Sequence, residues 1–487
     1  MDKKVVVVVA VVVLLLVVAG ISAVLFLRGK PGEKVGEKPS APRNLQAVAG
    51  NQTVRLSWQP PDNDGGSAIT NYKVYRGTTS GNLAFLKDVG NVLTYTDTGL
   101  TNGQTYYYQV SAVNGVGEGP RSNEVSATPF SATSHTPIHI NGNSEFTAAN
   151  GVVSGSGTES DPYIIEGWEI NANGGSYGIW IENTTAYFVI RNCNVYGATD
   201  WWNLPGGAGI ALNNVTHGTL DSNKCNNSRC GIYLYRSSQY NNITNNNASG
   251  NSDIGIYLAS SSNNNITNNN ASGNKYGIYL WNSSNNNITN NNASGNSWAG
   301  IRLSSSSNNN ITNNNASGNS DTGIYLWDSS NNNNITNNNA SGNSWDGIRL
   351  WWSSTNNTIT NNNASGNRYG IYLWNSSNNN NITYNWICNN ANYGVYITGS
   401  TGNTIHHNNF IANNGAGKGV SGNCQAYDSV GGNYWYDNSV NEGNYWSNWD
   451  SNGNGTANAY PIDGGAGASD WYPLGNPVAE FSSMPLF

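Results

Sequence analysis

Charge is scarce in this chain. Of 487 residues, 21 are Lys or Arg and 28 are Asp or Glu, so charged residues make up 10% and the net charge is -7. A nucleic-acid partner is not expected, because phosphate binding draws on clustered cations that a sparse, acidic surface does not supply. Histidine and methionine are scarcer still, at five and two, which leaves little material for a metal redox centre. Cysteine occurs five times, at Cys193, Cys225, Cys230, Cys388 and Cys424. The number is odd and no CxxC pair is present, so neither a zinc nor a haem site is expected. Cys225 and Cys230 could close one short disulfide; the alternative is that all five are small buried residues. Aromatic residues are not scarce, with 17 Trp and 28 Tyr. Disordered chains are poor in aromatics and rich in charge, so this chain is expected to fold.

The first feature present is an apolar run. Val5–Leu27 holds 23 residues without a charge, enough to cross a hydrocarbon layer of ~30 Å at ~1.5 Å per residue. A secretory signal has a shorter apolar core and a clear small-residue cleavage site. Here "GISA" is followed by apolar "VLFL", so an uncleaved membrane anchor is expected over a cleaved signal. Residues 1–4 then form a cytoplasmic tail. Lys3 and Lys4 precede the run and Arg28, Lys30, Lys34 and Lys38 follow it, so flanking charge does not decide orientation. Residues 28–40, rich in Gly, Pro, Lys and Glu, read as a polar spacer.

Residues 41–129 change character. "TVRLSWQPP", "ITNYKVYRG", "LTYTDTG" and "TYYYQVSAVNGVGEGP" are short alternating runs between Gly, Asn and Pro turns, the pattern of a β-sandwich. The segment resembles a fibronectin type III domain. Trp58 stands where that family has its core Trp, Leu100 followed six residues later by Tyr106 fits its tyrosine corner, and Val110, Ala112 and Asn114 continue the alternation. Such modules serve mostly as spacers or binding units, so the resemblance implies little about activity.

From residue 136 the chain is a repeat array. The Ile of "NIT" recurs at Ile243, Ile266, Ile288, Ile311, Ile335, Ile359 and Ile382, then at Ile405, in steps of 22 to 24 residues. A second marker, "GIYL" or "GIRL", runs in phase with it through Ile232, Ile256, Ile278, Ile301, Ile324, Ile348, Ile371 and Val395. A disordered tract has no need of a fixed period. Two short alternating strands per repeat of this length suit a parallel β-helix, each repeat winding one coil with ~4.8 Å between coils. Leucine-rich repeats of similar period would need a Leu-rich consensus. Within "GIYL", Ile and Leu face inward and Tyr outward, while Asn and Gly supply left-handed corners. The less regular "GIWI", "FVIRN", "GIAL" and "GTLDSN" read as earlier coils of the same helix. About ten coils are expected, giving a rod of roughly 48 Å.

"HTPIHINGNSEFTAANGVVSGSGTESDPYIIEGWEI" and the closing "GNYWYDNSVNEGNYWSNWDSNGNG", "YPIDG" and "DWYPLGNP" resemble the opening and closing segments of archaeal NosD-like β-helix proteins. With the repeats, the likeness spans residues 135–477. It implies a right-handed parallel β-helix over 136–410, an N-terminal cap at 136–167, a C-terminal cap at 411–477 and a tail at 478–487. The group's type member is a periplasmic protein linked to copper-site maturation. Many relatives are surface proteins described by carbohydrate-binding and sugar-hydrolase repeats.

Outward columns are where a β-helix carries function. After each inward Ile of the second marker come Tyr233, Tyr257, Tyr279, Arg302, Tyr325, Arg349, Tyr372 and Tyr396; two residues further on come Tyr235, Ala259, Trp281, Ser304, Trp327, Trp351, Trp374 and Thr398. Aromatic stripes with interleaved Arg can stack on sugar rings and hydrogen-bond to hydroxyls. The candidate carbohydrate-binding residues are therefore Tyr279, Trp281, Arg302, Tyr325, Trp327, Arg349, Trp351, Tyr372 and Trp374. The competing reading is a ladder of like residues with cation–π contacts that only stabilises the fold. Catalysis is not expected. The column three before each Ile reads Arg229, Asp253, Lys275, Trp298, Asp321, Trp345, Arg368 and Asn392, and Asp253 beside Lys275 is expected as a surface ion pair. No two carboxylates share a column on neighbouring coils, and the GHG, RIK, DPHE and RxPxxR signatures of polysaccharide-active β-helices are absent.

Two metal readings remain. His406 and His407 are adjacent, and adjacent strand residues point to opposite faces, so copper is not expected there. Asp450, Asn452 and Asn454 before Gly455 match the first half of an oxygen-ligand calcium loop; Pro461 occupies the twelfth position, and Asp463 would have to substitute. The chain also carries twenty N-x-S/T sequons. The candidate glycosylation sites among them, expected to stand clear of an Asn ladder, are Asn51, Asn183, Asn214, Asn242, Asn282, Asn375 and Asn454. Their density, with the fibronectin-like module and the low charge, leads to the expectation that the bulk of the chain lies outside the cell. The expectation is an anchored, non-enzymatic cell-surface protein that binds surface glycans or neighbouring cell-envelope proteins. The alternatives are a polysaccharide lyase or hydrolase, and a purely structural envelope component.

Overall fold

The computed structural model describes residues 36–415, 424–448 and 459–478. The expected anchor at Val5–Leu27 lies outside them. Among the described residues no helix is long and apolar enough to cross a membrane. The structure is all-β and falls into two compact units.

The first unit is the sandwich. One sheet joins Arg43–Gly50, Thr53–Gln59 and Thr94–Thr98; the other joins Asn82–Gly90, Ile69–Thr79, Tyr106–Asn114 and Gly117–Arg121. Period-two alternation fills the space between them: Val54, Leu56, Trp58, Tyr72, Val74, Tyr108, Val110 and Ala112 are buried. Trp58 and Tyr72 meet with ring centroids 5.5 Å apart. Leu100 and Tyr106 are buried, as the resemblance implied.

The second unit is a stack of coils. Two long sheets of twelve strands run through it. The first contains the "GIYL" strands, such as Tyr276–Trp281 and Asp346–Trp351; the second contains the "NIT" strands, such as Asn287–Thr289. Pairing in the first sheet is parallel, as is that of the "NIT" strands. A third side, not expected from the two sequence markers, consists in the middle coils of single-residue bridges running Asn247, Asn270, Asn292, Asn315, Asn339 and Asn363, and of short paired strands at either end. It contributes Ala248, Ala271 and Ala293 to the interior. Each of the six coils that open at Ile232, Ile256, Ile278, Ile301, Ile324 and Ile348 thus buries an Ile and a Leu from the first sheet, an Ile from the second and an Ala from the third. Left-handed residues turn the corners: Asn263 and Asn285, Asn268 and Asn290, Gly250 and Gly273. The coils number about ten, as expected, and both terminal segments extend the sheet to twelve strands, Ile138–Asn141 at the start and Ala426–Asp428 at the end.

Three buried Asn ladders lock the coils together. Asn291 shows the bonding. Its Nδ2 donates to Ile266 O at 2.8 Å and to Asn314 Oδ1 at 3.0 Å, and its Oδ1 accepts from Asn269 N at 2.9 Å and Asn269 Nδ2 at 3.0 Å. All four hydrogen-bonding sites of the amide are filled, which makes a fully buried polar side chain tolerable. The ends of the stack are closed differently. At the start Val152–Ser154 pairs antiparallel with Tyr163–Glu166. At the end Trp435, Trp446 and Tyr460 cover the core, Trp446 lying 4.0 Å from Tyr460 and 4.1 Å from Phe410 between ring centroids. Closing a sheet edge in this way prevents it from templating another strand. The five cysteines are all free, so no Cys225–Cys230 disulfide forms.

Candidate functional site

On the outer side of the first sheet the register holds coil after coil. Tyr233, Tyr257, Tyr279, Arg302, Tyr325, Arg349, Tyr372 and Tyr396 pair in succession, and so do Tyr235, Ala259, Trp281, Ser304, Trp327, Trp351, Trp374 and Thr398. The first set forms a tyrosine column and the second a tryptophan column. Coil spacing suits ring stacking: Tyr233 lies on Tyr257 at 4.8 Å and 5°, and Tyr257 on Tyr279 at 5.2 Å and 25°. Arg302 continues the stack, 5.0 Å from the Tyr279 ring and 4.8 Å from Trp327, and donates to Tyr276 Oη at 3.0 Å.

Two of the nine expected binding residues are corrected by this packing. Tyr325 and Arg349 are buried, with 5% and 7% of their surface exposed. Arg349 Nε donates to Asp346, and its terminal nitrogens donate to Asp321 at 3.0 and 3.4 Å. The cause is a third outward column. Residues two before each Ile, such as Cys230, Ile254, Tyr276 and Ala299, pack with the tyrosines in an apolar layer separate from the core. Asp346 stands in that column. Burial pushes its carboxyl up to about 6, with Arg349 pulling the other way. The Asp253–Lys275 ion pair is also corrected: Asp253 pairs with Arg229 at 3.2 Å, while Lys275 Nζ lies over the Tyr276 and Trp298 rings.

The seven remaining residues keep accessible surface. Tyr279, Arg302, Trp327, Trp351, Tyr372 and Trp374 are half-buried, and Trp281 is 49% exposed. Trp351 and Trp374 meet at 4.7 Å. Trp352 joins them, 47% exposed and 6.3 Å from both Trp327 and Trp374. Its left-handed φ of 52° swings it out at the corner; the doubled Trp in "LWWSS" was the only signal for it.

Upstream, the tryptophan column becomes polar. Register places Asn141 beside Glu182 and Glu182 beside Asn213. Glu182 accepts from Asn213 Nδ2 at 2.8 Å and lies 2.9 Å from His139 Nε2; the His139 ring stacks on Trp180 at 4.3 Å and 16°. A half-exposed imidazole is thus aimed by a buried carboxylate. The repeat markers do not reach this pair, because the coil from Ile179 to Ile210 carries an inserted loop. That loop presents Trp201 and Trp202, both exposed.

At the other end, His406 and His407 do not point apart. His407 has left the strand with φ 56°, so the period of two fails, and the two Nδ1 atoms lie 2.5 Å apart. His407 Nε2 lies 2.6 Å from Glu442. Burial and the neighbouring His407 hold the His406 imidazole below its ordinary value. Among the described residues no group of three or more His, Cys, Asp or Glu side chains could hold a metal ion. Of the calcium candidates, Asp450, Asn452 and Asn454 lie outside the described residues; Asp463 accepts from Tyr393 Oη at 3.1 Å.

Sequon asparagines divide by bonding. Asn287, Asn310 and Asn334 donate Nδ2 to the preceding coil's Asn along an outer ladder. Asn51, Asn183, Asn214, Asn242, Asn282 and Asn375 are exposed. Asn183, Asn214 and Asn282 nevertheless donate, to Asn141, Asn183 and Ser260. Asn454 lies outside the described residues.

Comparison with known proteins follows this division. Residues 40–128 match the fibronectin type III domain, 177–340 the right handed beta helix region, and 335–451 the family described as periplasmic copper-binding protein (NosD). An amylopullulanase of Thermoanaerobacter thermohydrosulfuricus is 43% identical over 100 residues, 19% of this chain and 6% of that protein. A Kelch domain-containing protein of Sulfurisphaera tokodaii is 32% identical over 149 residues, 31% of this chain and 19% of that protein. The chain therefore spans less than a fifth of the length of either relative. Among solved structures, an Fn3-like protein from Clostridium thermocellum is 32% identical, with 18% of this chain and 92% of that one covered and a TM-score of 0.17.

Proposed function

We propose that this chain is a non-enzymatic cell-surface protein that binds glycans or adheres to a neighbouring envelope component through the tryptophan column of its first sheet. The observation that carries the reading is the in-register set Trp281, Trp327, Trp351 and Trp374, with Trp281 half out in solvent. Ladder stability alone does not require this exposure, since an indole buried in a stack gains more than one left in water. Indole faces at coil spacing match the apolar faces of successive sugars in an extended chain. Half-buried Arg302 offers N–H donors to hydroxyls beside them. Polysaccharide pull-down or glycan-array binding tests this. Wild type is expected to bind, and a Trp281→Ala/Trp327→Ala/Trp374→Ala variant of unchanged fold to lose binding. Equal binding by that variant sinks the proposal.

A lyase or hydrolase is the second reading, favoured by the His139–Glu182 pair at the polar end of the same column. It predicts product release from a uronic-acid polymer that is abolished in His139→Gln. Release unaffected by that change removes the pair from consideration.

A further inference from the structure

The opposite flank of the first sheet carries its own column, three residues before each Ile. Backbone hydrogen bonds link it without a break. Lys275 N donates to Asp253 O, Trp298 N to Lys275 O, Asp321 N to Trp298 O, Trp345 N to Asp321 O, and Arg368 N to Trp345 O, all between 2.7 and 2.9 Å. The column is therefore a straight line of side chains at one residue per coil, separated from the tryptophan column by about 20 Å along the strand.

From Lys275 to Arg368 its side chains alternate charged and aromatic, and the charges are not equivalent. Asp253 and Asp321 are each held by an arginine, Arg229 and Arg349. Lys275 and Arg368 make no ion pair among the described residues. Each lies instead against an exposed indole: Lys275 Nζ is 5.3 Å from the Trp298 centroid, and the Arg368 guanidinium carbon is 4.4 Å from that of Trp345. Trp298 and Trp345 are 46% and 47% exposed and two coils apart, ~10 Å. The flank thus presents two half-open aromatic platforms, each with a cation at its edge that closes no ion pair of its own, although the Arg368 charge also reaches the buried Asp346 carboxyl.

We infer that this flank is a second glycan track, and that it takes an acidic polysaccharide, one whose sugars carry carboxylates. A pyranose ring on each indole places its carboxylate beside Lys275 or Arg368, where a charge-assisted hydrogen bond completes the contact. A lipid surface fits less well, because Asp253 and Asp321 beside the tryptophans would have to be desolvated. The inference extends the glycan-binding reading to a different face and a different ligand charge, so the two can fail separately.

The test uses the full chain, oligogalacturonate and a neutral cello-oligosaccharide, with binding measured by calorimetry at low and high salt. Lys275→Gln/Arg368→Gln is expected to weaken oligogalacturonate about ten-fold or more and to abolish the salt dependence of what remains. Trp298→Ala/Trp345→Ala is expected to weaken it likewise, and by more than Trp281→Ala/Trp374→Ala does. The inference is overturned if oligogalacturonate does not bind. It is equally overturned if the Lys275/Arg368 variant binds it as wild type does, or melts lower with binding intact, which would mark these cations as ladder supports only. Retention of acidic binding with loss of every neutral glycan would sink the tryptophan-column proposal and leave this one standing.

Discussion

At the scale of the residue, asparagine decides this structure. A buried primary amide has two donors and an acceptor with two lone pairs, and the Asn291 ladder satisfies all of them between neighbouring coils. Asn292, one residue on, does different work: its side chain donates to Asn270 Oδ1 at 3.0 Å on the partly exposed side. Asn291→Ala should therefore cost about 1–3 kcal/mol for each buried partner left unpaired, and Asn292→Ala about 0.5 kcal/mol or less. Asn291→Asp should be worse than Ala, because it also buries a charge facing the Asn314 oxygen. Thermal melting of the three variants checks the order; equal losses at 291 and 292 would show that the ladders are decorative.

At the scale of the element, the first-sheet strand is shaped by a glycine as much as by its Ile and Leu. A Cβ on Gly277 would stand 2.5 Å from Gly300 O, 2.9 Å from Ala271 O and 2.9 Å from Ala293 Cβ. Two of these neighbours are backbone atoms of adjoining coil segments and cannot turn aside. The same approach recurs at Gly255, Gly300, Gly323 and Gly347, so the "G" of "GIYL" sets how closely the coils stack. Gly277→Ala should destabilise the stack by about 1–3 kcal/mol through overpacking, seen as a lower melting temperature. A variant melting like wild type would mean that the coil relaxes around the methyl. The outer face of this strand is independent of that constraint, so Trp281→Ala is expected to change binding far more than stability.

At the scale of the whole molecule, acid acts on the two units in opposite directions. In the coil stack, burial pushes the carboxyls of Asp346 and Asp470 up to about 6. A raised folded value means stability that is fully present below the unfolded value of ~3.9 and lost as pH rises through about 6. In the sandwich, Glu118 is pulled down to about 2: against partial desolvation it accepts hydrogen bonds from Ser111, Tyr75 and Lys73. Its contribution is present above ~4.3 and lost as pH falls toward about 2. Calorimetry from pH 7 to pH 5 should raise the transition of the coil stack in a His406→Gln variant, which removes the imidazole whose lowered value opposes the two carboxyls, and should leave that of the sandwich in place. Below pH 4 the sandwich should lose stability. A coil-stack transition that falls between pH 7 and pH 5 would contradict the placement of these two carboxylates.

What the sequence determined by itself was periodic. Two markers in phase define a coil, the alternation within "GIYL" assigns inward Ile and outward Tyr, and repeated Asn and Gly announce the corners; each follows from local backbone geometry, which every repeat shares. The candidate face was legible on the same ground, down to the individual tryptophans of its column. What only the tertiary structure decided was which of those side chains solvent can reach. Arg349 and Tyr325 lie in an outward column yet are buried, because Asp346 and its neighbours fill a further column that the simple alternation does not count. His139 meets Glu182 across 43 residues and an irregular coil, and His407 turns back on His406 at a left-handed corner. These contacts depend on how neighbouring coils abut and on single corner conformations, and neither leaves a repeating trace in the chain.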